Sequence, residues 1–431
     1  MLKKVLKITL TLQFLFFGSF VNGQNKGSKS SIHKAVQQCT DMIFDSLIKI
    51  RRDLHTYPEL SGQEKRTAKK IEAYLLSMGL EVKTNIGGYG VVGILKTNKK
   101  GKRIAWRADI DALSSSIPDV VEFKSKNEGV RHICGHDVNA TIALGIAEVL
   151  SSLKEHLKGT IYFIFQPSEE NYKGAKAMID DGIFKIIGPD EIYALHITPM
   201  PEGLIATRPE WLYADYKTVK VAYKKSSDDQ SEVEYTKNLI SSLHNIEPGS
   251  KFWDTKNLLD PNIGLANPNT IYKDYRTVNP HFTIEETDNQ ISIRTNISSS
   301  SEKKMDAIIP LLKQKIKASK YSKNLIGVEY SFQRAVISND KQLTANAIKS
   351  ISSIYGKDKV IPLYGVIPDG RGDDFAYFQN HIPGVYFLLG GSNFEKGIIS
   401  MPHSPDFSVD ENCIKTGVKF FSSMILERLN D

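Results

Sequence analysis

Apolar residues first recur at helical spacing, in Ile43, Leu47, Ile50 and Leu54 and again in Ala68, Ile71, Leu75 and Met78, which predicts two amphipathic helices. The pattern then shifts to short β-rich runs, GVVGIL, RIAWRAD, TIYFIFQP, EIYALHI and GVYFLLG. Between them a helical stretch places Ile142, Ile146, Val149, Leu150, Leu153 and Leu157 on one face. Short buried strands separated by helices predict an α/β fold on a mixed, partly parallel sheet. From Tyr216 to Arg334 the pattern changes: a hairpin in FTIEETDNQISIRTNI, an amphipathic helix from about Glu302 to Ser319 and a strand in IGVEYSFQ. These predict a smaller α+β domain, 216–334, inserted between catalytic segments 32–215 and 335–431.

A chain of 431 residues exceeds what one core comfortably serves, which supports two domains. Residues 1–23 open with lysines, continue in an apolar run from Ile8 to Phe20 and end in small residues. They read as a secretory signal cleaved before Gln24, so a secreted or periplasmic protein is expected. The apolar run is shorter than the ~20 residues of a membrane span, and no stable membrane insertion is expected after cleavage. Residues 24–31 read as a polar linker. Taking Lys3, Lys4 and Lys7 from the formal charge of +7 leaves +4, too mild to imply nucleic acid. Cys39, Cys134 and Cys413 are too few and too far apart for a disulfide framework.

The potential ligands fall where strands end. RIAWR runs into Asp109 and Asp111, TIYFIFQPS into Glu169 and Glu170, EIYAL into His196; Cys134 and His136 open the long helix, and His403 follows the last strand. In an open α/β sheet such groups converge on one crevice outside the carboxyl ends of the strands. The stretch HICGHD alone admits three readings: a metal site, a Cys-His nucleophilic pair, or an ordinary helix start with a buried thiol. Cys, His and Glu together suit Zn²⁺, with Mn²⁺, Co²⁺ or Ni²⁺ as substitutes. Adjacent carboxylates can divide labour, one holding metal while the other moves a proton.

RRDLHTYPELSGQE, RADIDAL, HICGHD, QPSEE, ALHITP, GDDFAYF, PGVYFLLG and HSPDFSVDE occur in an order that resembles the two-metal amidohydrolase branch of the aminoacylase and carboxypeptidase superfamily. Hippurate hydrolase, N-acyl-amino-acid amidohydrolases and plant auxin-conjugate hydrolases belong to that branch. The likeness covers about Ile50 to Arg208 and Asn339 to Leu429. It implies a zinc-peptidase-like catalytic domain with an inserted lid or dimerisation domain, and two divalent ions, Zn²⁺ or Mn²⁺. It further implies metal ligands Cys134, His136, Glu170, His196 and His403, with the Cys134 sulfur bridging and Glu169 as general base and acid. Asp109 and Asp137 would orient ligands. The expected activity is hydrolysis of the amide of an N-acyl amino acid or small peptide-like conjugate, and the expected assembly a homodimer through the lid.

Four departures accompany the likeness. Asn139 stands where the family's C-G-H-D-x-H pattern has its last histidine, and SSSIPD replaces the usual Pro-containing loop after RADIDAL. The lid motif G-x-G-G-H-x-A-x-P-H, whose histidine helps hold the oxyanion in the family, is replaced by KKSSDDQSEVEY. The later N-V-I-P loop is echoed only by TVNPHF, which makes Asn279 and His281 the substrate-binding candidates. The altered lid motivates two alternatives: a metal-binding homologue that has lost catalysis and serves as a binding or scaffold protein, and a hydrolase for a substrate unlike the family's.

Overall fold

The computed structural model describes residues 27–368 and 371–430; the expected signal peptide lies outside them. Helix α1 spans Gly27–Thr56, so the polar stretch read as a linker is helical from Gly27 onward. Its lysine and serines carry no apolar periodicity, which is why the pattern placed the start near Ile32.

The main sheet has eight strands: β1 (Glu81–Ile86), β2 (Gly90–Lys96), β3 (Arg103–Asp109), β4 (Thr160–Gln166), β5 (Glu191–Pro201), β6 (Ile205–Thr207), β12 (Val360–Pro362) and β13 (Gly384–Ser392). Their spatial order is β1-β2-β4-β3-β5-β13-β6-β12. The central pairs β4/β3, β3/β5 and β5/β13 are parallel, whereas β1/β2, β2/β4 and β13/β6 are antiparallel. The sheet is mixed, as the pattern predicted.

Alternation along β3 feeds two cores. Ile104 and Trp106 enter one with Phe421 and Phe387, while Ala105 enters the other with Met178, Phe375 and Tyr386. The first is roofed by α1, by α2 (His136–Ser152) and by α5 (Asn412–Asn430), and the Trp106 and Phe421 rings lie 4.8 Å apart. Helix α2 is buried on nearly every side, not along a single stripe. Gly145 allows this: a Cβ there would meet Val418 at 2.5 Å and Leu47 at 2.8 Å, so α1 and α5 close over it.

A second, antiparallel sheet comprises β7 (Asp215–Lys224), β8 (Arg276–Val278), β9 (Thr283–Glu286), β10 (Gln290–Ser299) and β11 (Leu325–Gln333). The hairpin expected in FTIEETDNQISIRTNI is β9/β10. Helices α3 (Asp229–Ser241) and α4 (Ile308–Lys317) cover the sheet, with Ile308, Leu312 and Ile316 forming the i, i+4 stripe of a separate core. The helix expected over 302–319 is split at Ala307, because Pro310 has no N–H for the carbonyl four residues back. Residues 246–275 lie within the inserted stretch yet send Phe252, Leu265, Tyr272 and Tyr275 into the main core. Among the described residues no helix is long and apolar enough to cross a membrane.

Candidate metal centre

Three segments turn sharply as they deliver their groups. Gly135, between Cys134 and His136, has φ +91°, and a Cβ there would fall 2.3 Å from Ile197. Only glycine makes that turn, which points both neighbours at one centre. Ser168 (φ +55°) precedes the two glutamates after β4, and His403 itself has φ +64°. Such left-handed residues persist only where surroundings hold them, at ~1–3 kcal/mol each. Ser168 N–H donates to Glu64 Oε1 at 2.8 Å, and His403 N–H to the Ile133 carbonyl at 2.8 Å.

The expected ligands meet. Cys134 Sγ lies 3.3 Å from His196 Nε2 and 3.2 Å from His403 Nε2. Glu170 reaches His403 Nε2 at 3.3 Å with one oxygen and His136 Nε2 at 3.7 Å with the other. The ligand atoms of Cys134, His136 and His196 fall within 4.8 Å of one another, as do those of Cys134, Glu170 and His403. Cys134 is shared by both groups, as a bridging thiolate requires.

The donor chemistry fits cations. His136 Nδ1 is 2.9 Å from the Asp111 carbonyl, and His196 Nδ1 is 2.7 Å from the Ile197 carbonyl. Rings that donate there turn the Nε2 lone pairs to the centre. His136 Nε2 and Glu170 Oε1 are buried without a hydrogen-bond partner, an arrangement that costs ~1–3 kcal/mol per group. A cation between them satisfies both. Burial, then Glu170, pushes the Cys134 thiol well up; a divalent cation reverses that sign, because its charge favours thiolate.

Glu169 sits on the acidic side. Its Oε2 is 3.8 Å from His136 Nε2, and it shares a cluster with Asp373 and Asp374. Burial, then these two aspartates, pushes its carboxyl well above the usual range. The fully buried Arg107 balances this group, reaching Asp109 at 2.6 Å and Asp373 and Asp374 at 3.0 Å each.

Asp109 also approaches His136 Nε2 at 3.8 Å. Asp137 pairs with Arg51, its Oδ2 lying 2.8 Å from Arg51 Nε and 2.9 Å from His55 Nδ1. Asn139 bridges: its Nδ2 donates to Asp109 at 2.8 Å and its Oδ1 accepts from Ile197 N–H at 3.2 Å. Asn139→Ala removes both bonds and should weaken metal affinity ~10–100-fold, the usual effect of losing an outer support; competition with a fluorescent chelator reads it, and unchanged affinity would count against the bridge. Asn279 and His281 are exposed and are not brought to the centre. Asn279 N–H bonds the Asn296 carbonyl, and the carbonyls of both residues accept from Thr295, all within the small sheet.

The reading of single residues placed Asp111 at a strand end without giving it a role and missed Arg107, Asp373, Asp374 and Glu64, although RADIDAL, GDDFAYF and PELSGQE contain them. Glu64 anchors the loop ahead of Glu169 by accepting from Gly62 and Ser168, and its second oxygen is buried without a hydrogen-bond partner. Burial outweighs those bonds and pushes its carboxyl up to about 7. A folded-state value raised above the unfolded one means stability that is full below about pH 4.5 and is lost as pH rises through about 7. Glu64→Gln should therefore flatten the fall in urea midpoint of the metal-free protein between pH 5 and 8; identical slopes for the two proteins would refute the assignment.

A family model described as peptidase family M20/M25/M40 matches residues 105–427. The chain is similar to thermostable carboxypeptidase 2 of Saccharolobus solfataricus, at 33% identity over 397 residues, 87% of this chain and 93% of that protein. It is also similar to IAA-amino acid hydrolase ILR1-like 4 of Arabidopsis thaliana, at 28% identity, 88% of this chain and 85% of that protein. Its fold is similar to that of Bacillus subtilis YXEP, described as a dinuclear metal binding peptidase, with a TM-score of 0.71 at 24% identity over 90% of this chain and 99% of that one.

Proposed function

We propose a substrate class and residue roles from one premise, that this chain belongs to peptidase family M20/M25/M40 and is a metal-dependent hydrolase of amide bonds. The substrate is the amide of an N-acyl amino acid or a small peptide-like conjugate. The observation that carries the reading is the pair of ligand groups joined at Cys134, with the separate carboxylate Glu169 beside them. Relatives named as a carboxypeptidase and an IAA-amino acid hydrolase support the bond type.

Cys134, His136, Glu170, His196 and His403 would hold two divalent cations, Zn²⁺ or Mn²⁺. When bound, such ions polarise a carbonyl and make water more acidic. Glu169 accepts the proton of the attacking water and returns it to the amine nitrogen as the C–N bond breaks. Asp111 fixes the His136 ring through the Nδ1 contact, and Arg107 keeps the acids around Glu169 from repelling one another. The binding-protein alternative is not favoured, since its motive was the lid alone and the proton-transfer machinery is in place.

The test is hydrolysis of a panel of N-acyl amino acids and dipeptides by chelator-treated protein reloaded with Zn²⁺ or Mn²⁺. Metal-restored turnover of N-acyl amino acids or dipeptides supports the class; silence across the panel from metal-loaded protein rejects it. We also propose export, from residues 1–23, and a homodimer through β11, an edge strand of the lid sheet that exposes Ile326 and Phe332. A monomeric mass in light scattering would reject the dimer.

A further inference from the structure

The lid leaves a chemical gap that its own histidines do not fill. His244 Nδ1 accepts from Val278 N–H at 3.0 Å and its Nε2 lies 2.7 Å from the Ile246 carbonyl, while His281 is exposed in the loop before β9. The replaced motif starts helix α3. A hydrolytic site still needs a donor where negative charge grows on the carbonyl oxygen, so the other groups facing Glu169 matter.

Two phenols face it. Tyr213 lies just before β7 on a pinned backbone: Leu212 N–H bonds the Ile337 carbonyl at 3.0 Å, and Ala214 N–H the Ile367 carbonyl at 2.9 Å. Its ring stands edge-on to Tyr386 at 6.2 Å, and Tyr386 donates to Asp373 at 2.6 Å. Asp373 in turn clusters with Glu169 and Asp374, so one ring separates Tyr213 from the acidic side of the centre.

Tyr172 approaches from the glutamate loop. Its φ is +58°, a rare conformation for an aromatic residue, and its N–H closes a turn on the Glu169 carbonyl at 2.7 Å. The Arg334 guanidinium sits 4.7 Å over its ring, and its hydroxyl would lie 3.4 Å from a Cβ on Gly372, the residue before Asp373.

Buried phenols usually find a hydrogen-bond partner, yet neither hydroxyl has one among the described residues, nor is either among the sealed, unpartnered atoms. Both residues are half-buried, and their hydroxyls keep some exposure. A tyrosine hydroxyl ordinarily titrates at ~10, so each is a neutral donor at neutral pH.

We propose that Tyr213, with Tyr172 beside the same acids, donates a hydrogen bond to the carbonyl oxygen of the scissile amide and so supplies the oxyanion contact that the replaced lid motif does not. The phenol keeps its proton throughout. The proposal rests on the amidohydrolase reading above, and the experiment separates the two. Wild type, Tyr213→Phe and Tyr172→Phe are loaded with metal, checked for equal metal content, and assayed on the best substrate of the panel. The same three proteins are titrated with a phosphinate analogue of that substrate, or of N-acetylalanine if none is turned over, and with the free amino-acid product.

Tyr213→Phe is expected to lower kcat ~10²–10³-fold, as loss of one oxyanion donor does, with KM changed less than about threefold. Phosphinate affinity should fall with it while product affinity holds, and Tyr172→Phe should show the same signature at smaller size. Tyr213→Phe with kcat and phosphinate affinity both within threefold of wild type overturns the proposal. Wild type that neither hydrolyses the panel nor binds phosphinate overturns the amidohydrolase reading and the proposal together. Wild type that binds phosphinate without turnover sinks that reading alone, and the Tyr213→Phe titration then decides the proposal by itself.

Discussion

Glu169→Gln should leave the fold and the metal content intact and reduce kcat by roughly 10⁴-fold, the upper end of what a positioned acid or base contributes. The upper end applies because in the proposed mechanism one carboxyl acts twice, first taking the water's proton and then giving it to the departing amine. Gln has the same shape but neither accepts nor delivers that proton. Metal should stay, since Cys134, His136, Glu170, His196 and His403 form their two groups without it. Elemental analysis of the purified variant beside its steady-state kinetics makes the check. Turnover within tenfold of wild type would remove Glu169 from the mechanism, and loss of both ions would make it a ligand instead.

The substitution has a second expected effect. Glu169 is pushed upward by burial and by Asp373 and Asp374, so its contribution to stability is present at low pH and lost as pH rises. Metal-free Glu169→Gln should therefore melt higher than wild type above pH 7, separating the chemical role of the group from its structural burden.

How much of this was legible follows from where each residue sits. His196 and the carboxylates after β3 and β4 were readable because a charge at the end of an apolar β run has few uses except in a crevice. Cys134 and His136 were readable as a pair, but only Gly135 and its contact with Ile197 explain why they converge. Arg107 was hidden for the opposite reason. It lies inside the strand RIAWRAD, where alternation marks an inward position and nothing local names the three aspartates it meets, two of them over 260 residues away. Tyr213 belongs to a short connector with no periodicity, and the residues that pin it, Ile337 and Ile367, come far later in the chain. Asn279 and His281 were chosen by likeness to a loop, and exposure, not convergence, is what the fold gave them. The aromatic residues of 246–275 were read by position in the chain, whereas their burial in the main core depends on docking that periodicity does not encode.

Arg107 carries the largest stability prediction. Its side chain is wholly buried and its donors reach Gln166, Asp109, Asp373 and Asp374. One cation among several carboxylates is tolerable only because its planar fork addresses them together. Arg107→Leu leaves buried charge uncompensated, a change worth ~3–5 kcal/mol against a total stability of ~5–15 kcal/mol. The metal-free variant should unfold at clearly lower urea or accumulate as insoluble protein. Arg107→Lys should fall between, since an ammonium keeps the charge but meets fewer oxygens. The partners should not rescue equally. Asp374 is pushed up to about 8 by burial despite the pull of Arg107, so it already holds a proton near neutrality and Asp374→Asn should restore little. Asp109 is drawn down to about 2, the opposing charges of His136 and Arg107 outweighing burial, so it is the carboxylate left exposed to the loss, and Asp109→Asn should restore more. Equal rescue by the two would mean that packing around the guanidinium, and not its charge, holds this end of the sheet together; a midpoint unchanged in Arg107→Leu would show that the acids are neutralised by protons alone.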